Sequence, residues 1–267
     1  MAKIVFKKRS HTFNRIVSYG CSYTAGVELS DADFIPNADE LKRQMGVIPF
    51  NKKYSNILLT KDAINENNKR SWAGQLSKRF KVAHHNRAQG GSSLEDSIYR
   101  MRSDLVEKKL LKTDLVVLGI TTPQRWHSIG KDGSIENNLV SEMTDNSSSR
   151  AFLHVYDDYK LLHLHLTYLE QFITELENAK IAYFMFEMLE KEFYGLYKRV
   201  VKKLVYEPEL LEVINWRVKR LIKNPKIHWD LTLQKFAARD DLLGGNHWHH
   251  RVHSIYADAI YDRLTLE

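Results

Sequence analysis

The chain has 267 residues, 43% hydrophobic and 27% charged, a balance that suits a folded globular domain and argues against disorder. Its 40 Lys and Arg exceed its 33 Asp and Glu, for a formal net charge of +7. No apolar run reaches the roughly 18 residues that cross a bilayer, so no membrane span is expected. The single cysteine, Cys21, excludes an intramolecular disulfide framework. The first residues, MAKIVFKKRSHTFNRIV, lack the long apolar stretch and small-residue cleavage site of a signal peptide, so a cytoplasmic protein is the expectation. Basic residues gather at Lys3–Arg15 and Lys198–Lys226. They sit among periodic apolar residues and read as solvated helix faces. No zinc-finger spacing or RNA-binding signature accompanies them, so nucleic acid is not an expected partner.

In chain order, NRIVSYG (Asn14–Gly20) predicts a short buried strand closed by glycine. Cys21, Ser22, Tyr23, Thr24 and Gly26 follow it. From about Ser30 to Lys69 the periodicity is weak and Asn, Asp and Lys abound, which predicts a long insertion or lid. Trp72, Leu76 and Phe80 fall at helical spacing. KVAHHNRA predicts a second strand. Leu94, Ile98, Met101 and Leu105 mark one face of a helix that Ser93 is placed to cap. DLVVLGI (Asp114–Ile120) is apolar throughout, as a parallel strand covered on both faces should be. A long helix follows, with Leu161, His165, Tyr168, Phe172 and Leu176 on its expected inner face. IAYFMFEM predicts a fourth strand, and charged helices span Glu192–Tyr206 and Glu209–Lys223. Val252, Ile255, Tyr256, Ala259 and Ile260 make a final helical stripe.

Strands that alternate with helices predict an α/β fold with a parallel sheet. The expected organisation is one domain over 1–267, with the insertion at about 30–69 and a helical insertion at about 190–225. Ligands in such folds bind at the carboxyl ends of strands. Those ends carry GCSYTAG, NRAQGGSS, GITTPQR and, from the last loop, GGNHWHH.

A serine hydroxyl attacks a carbonyl only with a base in reach and donors for the developing oxyanion. Ser22 follows a strand and can open a helix, so its backbone N–H could face an oxyanion. The plainer alternative is a helix N-cap. The flanking Gly20 and Gly26 do not form the G-x-S-x-G elbow.

GCSYTAGVEL resembles the first block of the SGNH (GDSL-type) hydrolases, with Cys21 where their Asp stands. NRAQGGSS resembles the second block, in which a glycine five residues after an asparagine gives an oxyanion N–H; Asn86 and Gly91 keep that spacing. VVLGITTP lies where the third block belongs, with Thr121 and Thr122 in place of its Asn and Asp. His247 and His253 match the spacing of the last block, in which a catalytic His precedes a second His that opens a helix. GITTPQRW also resembles SGNH-like proteins of tailed phages.

The resemblance implies a three-layer α/β/α sandwich and an esterase acting on an acyl or acetyl ester of a small molecule or glycan. It implies Ser22 as nucleophile, His247 as base, with His253 as the alternative base, and no cofactor. The oxyanion would lie on the N–H groups of Ser22 and Gly91, with Thr121 or Thr122 as a further donor. The family's Asp before the catalytic His is replaced by Gly244 and Gly245, so Asp240 or Asp241 would have to supply the carboxylate. A lost oxyanion donor costs roughly 10²–10³ in rate. A lost triad Asp costs about 10⁴ in a serine protease. These departures open an alternative: a weakened binding or structural protein of the same fold, such as a phage component.

Arg125 offers a planar fork for a substrate carboxylate or phosphate, and Trp248 offers an aromatic cleft wall. His247, His249, His250 and His253 invite a metal reading. The run holds no acidic residue and is not H-E-x-x-H, so no metal is expected. His163 and His165 point to opposite sides of a helix, giving surface and core roles. A small residue packed beneath the turn is the expectation for Cys21.

Overall fold

In a computed structural model describing residues 2–6, 9–90, 92–123, 125–129, 135–139, 157–189, 192–237 and 248–266, the chain opens on an antiparallel hairpin, β1 (Ala2–Phe6) and β2 (Arg9–Phe13). The hairpin buries Ile4 and Phe13. Next come β3 (Arg15–Tyr19) and the one-turn helix α1 (Ser22–Ala25).

The stretch expected as a loop-like lid is instead helical: α2 (Asp31–Phe34), α3 (Ala38–Met45), α4 (Val47–Lys53), α5 (Ser55–Leu58) and α6 (Lys61–Arg70). The longest of these has 10 residues, too few turns for a hydrophobic period to stand out from the sequence. They close on a small core of Ile35, Ala38 and Phe50. Thr60 caps α6 by accepting from Ala63 N.

Then follow α7 (Trp72–Phe80), β4 (Ala83–Asn86), α8 (Leu94–Val106), β5 (Asp114–Ile120), a second hairpin of β6 (Arg125–Ile129) and β7 (Ile135–Leu139), and the 22-residue α9 (Asp158–Ala179). The chain continues through β8 (Ala182–Glu187), α10 (Glu192–Lys203), α11 (Pro208–Ile222), the short β9 (Ile227–His228) and α12 (His250–Leu266). Ser93 caps α8 as expected, accepting from Asp96 N. Both hairpins and β9 carry no distinctive periodicity and were not anticipated. The charged helix expected over Glu192–Tyr206 ends its α-helical part at Lys203 and finishes in a 3₁₀ turn, Leu204–Tyr206.

β3, β4, β5, β8 and β9 form one parallel sheet in the order β4-β3-β5-β8-β9. Every residue of β5 is buried, because helices cover both faces. On one face Val17, Val116, Leu118 and Met185 meet α8, α9, α10 and α11 through Ile98, Phe172, Leu196 and Val218. On the other Ile16, Leu115, Val117 and Phe186 meet α7 and α12 through Trp72, Leu76, Val252 and Tyr256. This is the expected three-layer α/β/α sandwich. Among the described residues no helix is long and apolar enough to cross a membrane.

Two expected helix faces are rotated. α9 buries Leu162, His165, Leu166, Leu169, Phe172, Ile173 and Leu176, while Leu161 and Tyr168 lie at the margin. On α12 Ile255 is 43% exposed, and His253, Ala257 and Leu264 turn inward. α9 packs against α8, α10 and α11, and α12 against α7, so the buried stripe is wider than the one the spacing marks.

The basic segments are partly neutralised by neighbours. Arg15 pairs with Asp114, Arg217 with Glu170, and both Arg199 and Lys203 with Asp158.

His165 packs beside Phe193 at 5.9 Å between ring centroids. Burial alone pushes its pKa down to about 3. Burial, the largest cause, also pushes His228 down to about 4. Both are neutral in the fold and free to protonate when unfolded, at about 6.5. The unfolded chain therefore binds more protons below pH 6.5. This stability is complete above that value and is lost as pH falls toward the folded values. Each histidine contributes a loss of about 2 kcal/mol between pH 7 and pH 5. His165→Leu should shrink the loss by about that amount in urea titrations at the two pH values. An unchanged pH slope would refute the assignment.

Candidate active site

The sheet order reverses between β3 and β5. The chain steps outward from β3 to β4, then returns past β3 to β5. The carboxyl ends of two such strands diverge into connections on opposite faces and leave a crevice, the usual ligand site of an open α/β sheet. Ser22 follows β3 and Thr121 follows β5.

The turn carrying Ser22 is held by its glycines. Gly20 sits at φ +140°, and a Cβ there would come within 2.6 Å of Thr24 Oγ1 and 2.8 Å of the Gly119 carbonyl. A Cβ on Gly119 would approach the same Thr24 Oγ1 to 2.1 Å. Thr24 is thus wedged between the ends of β3 and β5, its hydroxyl 3.8 Å from Met188 Sδ. The amides of Thr24 and Ala25 donate to the Cys21 carbonyl at 3.0 and 2.9 Å. Gly26, left-handed at φ 74°, closes the helix by donating to the Ser22 carbonyl. Cys21 is 1% exposed and packs under the turn, as expected of a small residue there. Ser22, 5% exposed, is the first residue of α1. Its hydroxyl does not cap the helix, and it makes no hydrogen bond to another described residue.

The loop after β4 lies against this turn. Arg87 N donates to the Ser18 carbonyl at 2.8 Å, and Gln89 N to the Gly20 carbonyl at 3.2 Å. Asn86 anchors it. Its Oδ1 accepts from Ser18 Oγ and Ala88 N, and its Nδ2 donates to Asn68 Oδ1 and the Ala25 carbonyl. Because the Ser18 hydroxyl donates to Asn86, His84 Nε2 at 2.9 Å is the donor to Ser18. Burial holds the His84 pKa down at about 4. Ser18 and His84 are thereby a structural pair, since the serine proton already faces Asn86.

At the end of β5, Thr121 and Thr122 are 4% and 6% exposed. Thr122 Oγ1 donates to Glu192 Oε2 at 3.2 Å. Glu187 ends β8, is 3% exposed, and accepts from Phe193 N. The two acids were not singled out from the sequence. The available signal was a carboxylate closing an otherwise apolar strand, which burial makes costly without partners.

Trp248 meets α1 through aromatic stacking. Trp248 is 7% exposed and lies 4.9 Å from the Tyr23 ring at 24°. Tyr23 follows Ser22 in the chain and Trp248 follows His247. His253 is 1% exposed, and its Nδ1 accepts from Trp72 N at 3.1 Å. A backbone N–H can only donate, so a neutral His253 carries its proton on Nε2. It thereby satisfies an amide at the start of α7 and is not hydrogen-bonded to Ser22. The His249 and His250 rings lie 3.9 Å apart, tilted at 44°, and burial lowers the His250 pKa. Among the described residues no three His, Cys, Asp or Glu side chains converge on a metal-sized site.

Gly91, His247, Asp240 and Asp241 lie outside the described residues, as does the side chain of Arg125. The structure therefore brings together Ser22, Asn86, Thr121, Thr122 and Trp248 at one end of the sheet.

No family model and no curated protein matches the chain. Solved structures align over nearly its whole length. A member of the lipolytic protein G-D-S-L family from Veillonella parvula covers 94% of this chain and 99% of its own, at 14% identity and TM-score 0.45. The psychrotrophic esterase EstA from a Pseudoalteromonas species covers 94% and 96%, at 11% identity and TM-score 0.45. A carbohydrate esterase family 2 enzyme with a carbohydrate-binding domain, from Corynascus thermopiles, covers 95% and 66%, at 13% identity and TM-score 0.48.

Proposed function

We propose that the chain is a divergent SGNH hydrolase that cleaves an acyl or acetyl ester through Ser22. One observation carries this reading: Ser22 stands on a strand-to-helix turn where the sheet order reverses, with the Thr121 and Thr122 hydroxyls on the neighbouring strand end. The block resemblance at Ser22, Gly91 and His247 agrees with that placement.

In the proposed reaction the Ser22 hydroxyl attacks the ester carbonyl while His247 takes its proton. The tetrahedral oxyanion rests on the N–H groups of Ser22 and Gly91, with the Thr121 hydroxyl as third donor. His247 then protonates the leaving alcohol, and water repeats the sequence on the acyl-enzyme. Asp241 is assigned to orient His247. Arg125 and Trp248 are assigned to substrate contact, Trp248 from its stack on Tyr23.

A fluorophosphonate probe reports an activated serine. Ser22 should be labelled stoichiometrically, and mass spectrometry of the digested protein should place the adduct on the peptide containing Ser22. An unlabelled Ser22 in folded protein would overturn the hydrolase and favour a binding module of the same fold.

A further inference from the structure

Beside α1 lies a cavity of about 420 Å³, within the size range that holds small-molecule ligands. Its inner wall is Ala25, which ends the Ser22 helix, and Val27, with Ala88, Gln89 and Gly90 of the loop that precedes Gly91. Its outer wall comes from the helical insertion, through Leu58, Leu59 and Ile64. Leu59 is 72% exposed and Ile64 43% exposed, so apolar surface stands open to water at the rim. Gly90 is what keeps the inner wall thin: a Cβ there would come within 3.3 Å of Val27 Cγ2.

The floor carries a fixed charge pattern. Glu28 and Asp31 line it, and buried Lys42 stands behind them, 2.8 Å from Asp31 Oδ2 and 3.5 Å from Glu28 Oε2. Three carboxylates, counting Asp39 at 4.0 Å, gather around this one ammonium. Carboxylates on the floor disfavour an anionic ligand and leave an uncharged apolar one unopposed.

We infer that this cavity receives the uncharged acyl chain of the ester cleaved at Ser22, and that the insertion at 30–69 sets the preferred chain length. The inference rests on the hydrolase reading. The cavity shares α1 with that site: Ala25 in its wall stands three residues after Ser22 on the same helix. An acetyl group would not fill it; a chain of several carbons would. A chain ending in a carboxylate would meet Glu28 and Asp31.

The test has two readouts. The neutral solvatochromic dye prodan should shift to the blue on the wild-type protein. It should lose that shift in Ile64→Trp, which fills the cavity, and keep it in Val106→Trp, on an exposed position of α8. With p-nitrophenyl esters, kcat/KM for hexanoate relative to acetate should fall at least tenfold in Ile64→Trp. The monoester of adipate should be cleaved at least tenfold more slowly than the hexanoate. No blue shift, or a shift equal in Ile64→Trp, overturns the cavity as a ligand site. Hydrolysis with an unchanged hexanoate-to-acetate ratio overturns its role as acyl site. Equal rates for hexanoate and adipate overturn the charge assignment. A bound dye without hydrolysis of any ester overturns the hydrolase reading itself and leaves an apolar ligand site.

Discussion

Ser22→Ala should lower kcat/KM for a short-chain p-nitrophenyl ester by at least about 10³-fold, since removal of a serine nucleophile costs on the order of 10⁶ in an efficient hydrolase. The smaller bound reflects where the resemblance to SGNH hydrolases breaks: threonine hydroxyls stand at the position of their Asn amide, and glycines precede His247. Because the Ser22 hydroxyl does not cap α1 and bonds to no other described residue, its replacement removes little structural support. The melting temperature should therefore change little while activity is lost. Steady-state kinetics beside a thermal melt separate the two effects. Wild-type activity no greater than that of the variant would end the case for Ser22. A loss of activity that tracked a loss of folding would leave Ser22 as a structural residue.

Lys42→Met should cost about 3–5 kcal/mol, the usual penalty for removing one partner of a buried ion pair. Lys42 is 1% exposed on α3, its ammonium shared by Asp31 and Glu28 and set 5.2 Å over the Phe50 ring. Methionine keeps most of the stem and removes the charge, so Asp31 and Glu28 lose the Lys42 cation. Burial already raises the Asp31 pKa, against the lowering effect of Lys42. Without Lys42 it rises further above the unfolded value, so the folded state gains protons. The penalty should then be small in acid and grow as pH rises through the folded pKa. Urea denaturation at pH 7 and pH 5 measures both the size and the sign. Adding Glu28→Gln and Asp31→Asn should restore most of the stability, because the uncompensated charges are then gone. A loss below about 1 kcal/mol at pH 7 would mean that water reaches the cluster and screens it.

These two residues mark how far the sequence could be read. Ser22 was legible because its surroundings are local: a buried strand, a glycine, then a short turn. Lys42 was not. A lysine within weak periodicity reads as a solvated residue, and only the folding of α2, α3 and α4 against one another buries it. The helical nature of 30–69 was hidden for the same reason, since each helix turns only a few side chains inward. The alternation of strands and helices was readable because β5 is apolar end to end and α8 and α9 are long enough to show their period. The hairpins at 2–13 and 125–139 escaped, being mixed in polarity and short.

By itself the sequence determined the α/β class, the strands that form the central sheet except β9, the cap at Ser93 and the serine most worth testing. All of these depend on residues adjacent in the chain or one helical turn apart. Tertiary structure alone decided the strand order, and with it the reversal between β3 and β5. It wedged Thr24 between Gly20 and Gly119 and turned His253 to the amide of Trp72. It also opened the cavity between residues 51–68 and α1. The physical reason is that contacts between residues separated by tens to hundreds of positions leave no periodic trace. Their cost and benefit exist only once the layers have packed.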